Sequence, residues 1–181
     1  MVAARWAYLL CFAWAILSAG RSISAAAPAD DKAPVKIEAA FVPASGKLPA
    51  RLILTAEIEK KWHVYSITQG KGGPYPTKIK LDENAAYKLA GDFTAVPKAD
   101  AHKEAIFNDL LVETHEGKVT WWVPVEVSAD FDPAKTPIAG KLTYQACNDE
   151  NCLPPTPVKF TTKVIDAAAA EKLIAPPEAK K

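Results

Sequence analysis

From Val35 onward the apolar residues recur at every second position. Val35, Ile37, Ala39 and Phe41 alternate with Lys36, Glu38 and Ala40, and Leu52, Leu54, Ala56 and Ile58 alternate with Arg51, Ile53, Thr55, Glu57 and Glu59. Period two is the pattern of strands with one buried face and one wet face. Residues 62–66, 77–81 and 87–90 are shorter candidates of the same kind. Val119, Trp121, Val123, Val125 and Val127 then line one face of a long strand, with Trp122, Pro124 and Glu126 on the other. Proline cannot donate to a ladder, so this strand is expected at an edge or bulged at Pro124. Leu142, Tyr144 and Ala146 alternate with Lys141, Thr143 and Gln145, and Val158, Phe160, Thr162 and Val164 form a last strand. Eight or nine short strands separated by Pro, Gly, Asn and Asp predict an all-β, immunoglobulin-like sandwich. One short C-terminal helix is expected over 167–174, capped by Asp166 and stopped by Pro176 and Pro177.

Three stretches break the alternation, at 68–76, 94–108 and 148–157, and are expected to be loops. The sequence shows no internal repeat, and no boundary falls inside 34–165, so that segment reads as one domain. Residues 27–33 form a polar, Ala/Pro-rich leader, expected to be flexible, and 166–181 hold the short helix and a disordered tail.

The first 26 residues differ from the rest. Arg5 precedes residues 6–17 (WAYLLCFAWAIL), an uncharged apolar run of 12, and small residues follow at 18–20 and, Ile23 apart, at 22–27. This is the build of a cleaved secretory signal peptide. The run is short of the roughly 20 residues a spanning helix needs, so no stable membrane insertion is expected after cleavage. Cutting after Ala26 puts Ser24 at the third position before the cut, with Gly20 and Ala25 as alternative sites. Removal of the leader takes away Arg5 and Arg21, so 22 Lys+Arg against 21 Asp+Glu becomes 20 against 21 in the remaining 155 residues. A balance this even supplies no field for nucleic acid or an anionic membrane surface.

Cleavage also removes Cys11 and leaves Cys147 and Cys152 in a chain sent to an oxidising compartment. Asn148, Asp149, Glu150 and Asn151 separate the pair directly after a strand, so the two sulfurs fall opposite one another across a four-residue turn. Such cross-strand positions lie within disulfide range. A loop this small supplies only about 2 kcal/mol of entropic stabilisation. A structural staple, a redox pair and a zinc site completed by His63 and His115 all remain open on spacing alone. Copper held by thioether is excluded, because the only methionine is Met1. Asp149 and Glu150 disfavour a thiolate, so a strongly acidified resting nucleophile is not expected. No other enzyme class is indicated: there is no nucleophile elbow, and residues 70–74 (GKGGP) lack the following helix that a phosphate loop requires.

The stretch 144–155 (YQACNDENCLPP) resembles the N-terminal periplasmic domain of the thiol:disulfide interchange protein DsbD, in which a strand ending in Tyr-Gln-x-Cys leads into a short polar turn, a second Cys and a proline-containing exit. Upstream, residues 62–65 (WHVY), 73–79 (GPYPTKI) and 122–125 (WVPV) are similar to that family's aromatic strand, Gly/Pro-Thr segment and hydrophobic-Pro strand, in the same order. The resemblance covers about 35–165. It implies an immunoglobulin-like sandwich whose pair shuttles between disulfide and dithiol without a cofactor or metal, passing electrons to periplasmic thioredoxin-fold partners. Carried over by position, Cys152 forms the mixed disulfide and Cys147 resolves it. Phe107 matches the family's cap aromatic, Tyr65 the aromatic beside the pair, and Leu153 and Tyr144 are binding positions. Full-length relatives continue into a membrane region, whereas this sequence ends at Lys181, so a stand-alone monomer served by a separate membrane electron donor is expected. The alternative is a non-catalytic binding or assembly module of the same fold with a structural disulfide.

Overall fold

The computed structural model describes residues 33–176. The expected signal peptide, the leader up to residue 32 and the tail from residue 177 lie outside the described residues. Among the described residues thirteen strands and one α-helix follow in order: β1 (Val35–Val42), β2 (Arg51–Ile58), β3 (His63–Tyr65), β4 (Lys78–Leu81), β5 (Tyr87–Leu89), β6 (Thr94–Val96), β7 (Asp100–Glu104), β8 (Leu110–Glu116), β9 (Lys118–Val127), β10 (Ala139–Tyr144), β11 (Ala146–Cys147), β12 (Thr156–Thr161), β13 (Lys163–Val164) and α1 (Ala167–Ile174).

One layer of the sandwich runs β13-β1-β2-β9-β5, and β6 also pairs with β9. Two smaller sheets, β12-β10-β4 and β11-β3-β8-β7, make the opposing layer. Only Gln145 separates β10 from β11, so these two sheets lie along one chain path. Between the layers Leu52, Leu54, Trp121 and Val123 meet Val64, Leu142, Tyr144, Ala146 and Phe160 in a single buried cluster. Trp121 is fully buried there, and burial of a large apolar side chain is worth up to about 3 kcal/mol. The expected immunoglobulin-like sandwich with a short C-terminal helix is the observed architecture.

Three expectations change. The second face of β2 was expected to be wet, yet Arg51, Ile53 and Thr55 are buried. For Arg51 and Ile53 the cause is α1, which lays Ala170, Leu173 and Ile174 over Val42, Ile53 and Trp122 and pairs Glu171 Oε1 with the Arg51 guanidinium at 2.9 Å; Thr55 instead shares a hydroxyl hydrogen bond of 3.2 Å with Thr120 of β9. The helix starts where expected, because Asp166 Oδ1 accepts the Ala169 N–H at 2.7 Å.

Pro124 does not mark an edge. It lies in β9, paired with Arg51 of β2. The Val125 N–H donates to Ala50 on the β2 side, while the Pro124 carbonyl accepts from Ala90 on the other. Backbone groups of adjacent residues point to opposite sides, so the missing Pro124 N–H faces the unpaired connection between β5 and β6, where no ladder needs it.

Residues 94–108, expected as loop, contain β6 and β7, and β8 adds a strand that the alternation did not signal. Thr114 and His115 are buried in β8 although polar, which blurs its period-two pattern.

Candidate active site

The two cysteines close a turn at the end of β11. Asn148 N–H donates to the Asn151 carbonyl at 2.9 Å. The Asn148 side-chain oxygen accepts from the N–H groups of Glu150 at 3.0 Å and Asn151 at 2.7 Å. Asparagine is suited to this because its short side chain reaches its own backbone two and three residues on. Cys147 and Cys152 then oppose each other as an antiparallel bridge. They form a disulfide with a Cα separation of 4.1 Å, tighter than the spacing of ordinary cross-strand pairs. Leu153 N–H donates to the Ala146 carbonyl at 2.9 Å and extends the pairing by one rung.

Gln145 ties this turn to its surroundings. Its side-chain carbonyl accepts the Tyr75 N–H at 3.1 Å, and its amide donates to the Leu153 carbonyl at 3.2 Å. One side chain thus links the Gly/Pro loop, the Tyr-Gln strand and the exit from the second cysteine. The far side of the Gly/Pro loop is held by Gln69, whose oxygen accepts the Glu113 N–H at 2.8 Å while its amide donates to the Leu111 carbonyl at 3.3 Å. Thr77 returns the loop to β3, donating its hydroxyl to the Tyr65 carbonyl at 2.6 Å.

The two cysteines are unequally exposed. Cys147 is 2% exposed and packs with Tyr65 and Val112, with Phe107 partly covering the group. Cys152 is exposed. Phe107 ends a 3₁₀ turn, Ala105–Phe107, at the tip of the β7–β8 hairpin. Asn108 and Asp109 follow with φ of 56° and 58°; Asn and Asp tolerate this left-handed region better than most residues. The Asp109 N–H closes the tip onto the Glu104 carbonyl at 3.0 Å.

His63 is the β3 residue directly opposite Cys147. Its ring meets Tyr65 edge-on at 5.4 Å, with Nε2 3.4 Å from the Tyr65 hydroxyl. Partial burial lowers the His63 pKa from its usual 6.5, against the pull of Glu116, Asp149 and Glu104, while His102 adds to the lowering. Burial, and then Glu104, raise that of Tyr65.

The structure therefore brings Cys147, Cys152, Tyr65 and Phe107 together. Leu153 is half-buried and packs against the main core just past the turn. Tyr144, a candidate binding residue, is 2% exposed inside the main core, so a partner has no access to its ring. Inward alternation along β10 is the reason. His63 and His115 do not converge: His115 pairs with Val64, the neighbour of His63, so the two rings take opposite faces. His115 is buried edge-on against Trp121 at 5.9 Å. Among the described residues no group of three or more His, Cys, Asp or Glu side chains is placed to hold a metal ion. Sequence reasoning missed Val112, since β8 itself was not signalled. It also missed the bridge made by Gln145, although that residue stands in the Tyr-Gln motif.

The site is thus a turn-borne disulfide on an immunoglobulin-like sandwich, with Cys152 exposed and Cys147 packed against aromatic residues. Residues 31–163 match the family described as thiol:disulfide interchange protein DsbD, N-terminal, and the chain belongs to that family. Among solved structures it is similar to the N-terminal periplasmic domain of ScsB from Proteus mirabilis, with 17% sequence identity and a TM-score of 0.50 over 75% of this chain. The chain spans about half, 49%, of that structure, and the likeness at this identity is one of fold. No curated protein sequence matches the chain.

Proposed function

We propose that this domain relays electrons in the periplasm through Cys147 and Cys152, reducing thioredoxin-fold partners and being recharged by a membrane electron donor. The observation that carries the reading is the unequal exposure of the two cysteines across one turn, in a chain of this family. In the dithiol state the Cys152 sulfur attacks a partner disulfide and forms a mixed disulfide. Cys147 then attacks Cys152, the partner leaves as a dithiol, and the Cys147–Cys152 bond is restored. Recharging runs in reverse, with a donor thiolate attacking exposed Cys152 and Cys147 leaving. No cofactor takes part. Tyr65 and Phe107 shield the buried sulfur between encounters, and Leu153 offers apolar surface beside the exposed one.

The test is the reduction potential of the pair together with trapping. A relay should have a potential well above about −300 mV, whereas a staple lies below it. Cys147→Ser should hold a thioredoxin-fold protein as a mixed disulfide through Cys152, and Cys152→Ser should hold far less. A potential below about −300 mV with no trapping by either variant would assign the domain to the alternative, a binding or assembly module with a structural disulfide.

A further inference from the structure

We infer that His63 is the base that takes the proton from Cys147 when Cys147 resolves a mixed disulfide on Cys152. The inference rests on the exchange reading above and gives a role to a residue that reading leaves unused.

The need for a base follows from where Cys147 sits. Its sulfur lies in an apolar group with Tyr65, Val112 and Phe107, and desolvation disfavours the thiolate. Asp149 and Glu150 in the adjoining turn add negative charge rather than a cation. A buried thiol in this setting resolves slowly unless a neighbour accepts its proton.

His63 is placed to do so. It is the directly opposed partner of Cys147 in the β3–β11 ladder, and such pairs share a face with Cβ atoms about 4.5 to 5.5 Å apart. Tyr65, packed with Cys147, holds the His63 ring edge-on. The groups acting on the imidazole are Tyr65 from β3, Glu116 from β8, His102 and Glu104 from β7, and Asp149 from the turn. Partial burial keeps the imidazole neutral near pH 7 and so able to accept a proton. The three carboxylates stabilise the imidazolium once it forms.

The step balances without an outside reagent. The Cys147 S–H bond breaks and its proton passes to an imidazole nitrogen of His63. The freed electron pair forms the Cys147–Cys152 bond, and the bond from Cys152 to the partner sulfur breaks with its pair leaving on that sulfur. The domain's dithiol is oxidised by two electrons and the partner's disulfide is reduced by two.

The experiment uses the reduced chain and 5,5′-dithiobis(2-nitrobenzoate). The first release of thionitrobenzoate reports attack by Cys152, and the second reports resolution by Cys147. In the wild type the second release should show a rising limb at and below about pH 6.5, set by the imidazole losing its proton. His63→Gln should leave the first release unchanged and slow the second on the order of 100-fold near pH 7, as expected for loss of a positioned base. Its remaining rate should climb only as the thiol itself ionises. Free imidazole should restore the second release in His63→Ala. A second release with the same rate and pH profile in His63→Gln as in the wild type overturns the proposal alone, as does a slowed His63→Ala that imidazole does not restore. A wild-type chain that forms no mixed disulfide, or never releases the second thionitrobenzoate, overturns the exchange reading along with it.

Discussion

Cys147 and Cys152 are chemically identical residues made unequal by neighbours. Cys147 ends a strand whose next rung is Ala146 in the core, so it is pressed under Tyr65 and Phe107, while Cys152 lies on the outgoing limb of the turn and is exposed. Gln145 holds that outgoing limb in place through Leu153 and braces it against Tyr75. Gln145→Ala strands both backbone partners, and a buried or half-buried group left unmade costs about 1–3 kcal/mol. The expected result in urea titration is an unfolding free energy lowered by that amount, seen as a lower midpoint with m unchanged, and faster proteolysis between residues 70 and 76. A variant as stable as the wild type would show that water replaces both bonds. At this scale the cysteines and the Tyr-Gln motif are legible in the sequence, since turn residues and spacing are local. That Tyr144 faces the core rather than a partner depends on the register of β10 against its neighbours.

Among the elements, the β7–β8 hairpin packs against the buried cysteine. Its five paired rungs run from Asp100 opposite Thr114 to Glu104 opposite Leu110, and the tip carries Phe107 onto Tyr65, Val112 and Cys147. Phe107→Ala leaves the ladder intact and removes the aromatic cover. Aromatic packing worth about 1 kcal/mol corresponds to roughly a fivefold rate change. Reduction of the wild-type disulfide by glutathione should therefore be about fivefold slower than in Phe107→Ala. Equal rates would mean that Phe107 does not shield the pair. Little of this hairpin is legible in the sequence. Asp100, His102 and Lys103 are exposed, and Thr114 and His115 are buried though polar, so neither strand shows clean alternation. The helix at the other end is the opposite case, because its Asp166 cap and following prolines are local signals.

For the molecule as a whole, pH acts on stability through buried imidazole. His115 is 3% exposed, with neither ring nitrogen hydrogen-bonded. Its pKa is lowered from 6.5 by burial, against the opposing pull of Asp100 and Glu113. The unfolded chain thus takes up a proton near pH 6.5 that the folded chain resists. Its contribution is full above that pH and declines as the pH falls through 6.5 toward the folded value. Below the folded value the loss levels off, because both states are then protonated. One such group changes stability by at most about 1.4 kcal/mol per pH unit. Chemical denaturation from pH 8 to pH 5 should show the decline in the wild type and a shallower one in His115→Leu. His63, also lowered, keeps part of the slope. Identical slopes in the two chains would rule out His115 as a source.

The sequence by itself determined the strand-rich class, the helix with its cap, and the turn that joins two cysteines. Each of these follows from period-two alternation or from residue preferences acting within a few positions. Only the tertiary structure decided what covers each strand. It put α1 over the second face of β2, so that Arg51 and Ile53 are buried at positions the alternation marks as wet. It placed Pro124 opposite the unpaired connection between β5 and β6 rather than at an edge. It also set His63 across from Cys147 while turning His115 away. The physical reason is common to all three. A local pattern states which face of a strand avoids water, but the element that arrives to cover it, and the register in which it arrives, are fixed by contacts between residues far apart in the chain.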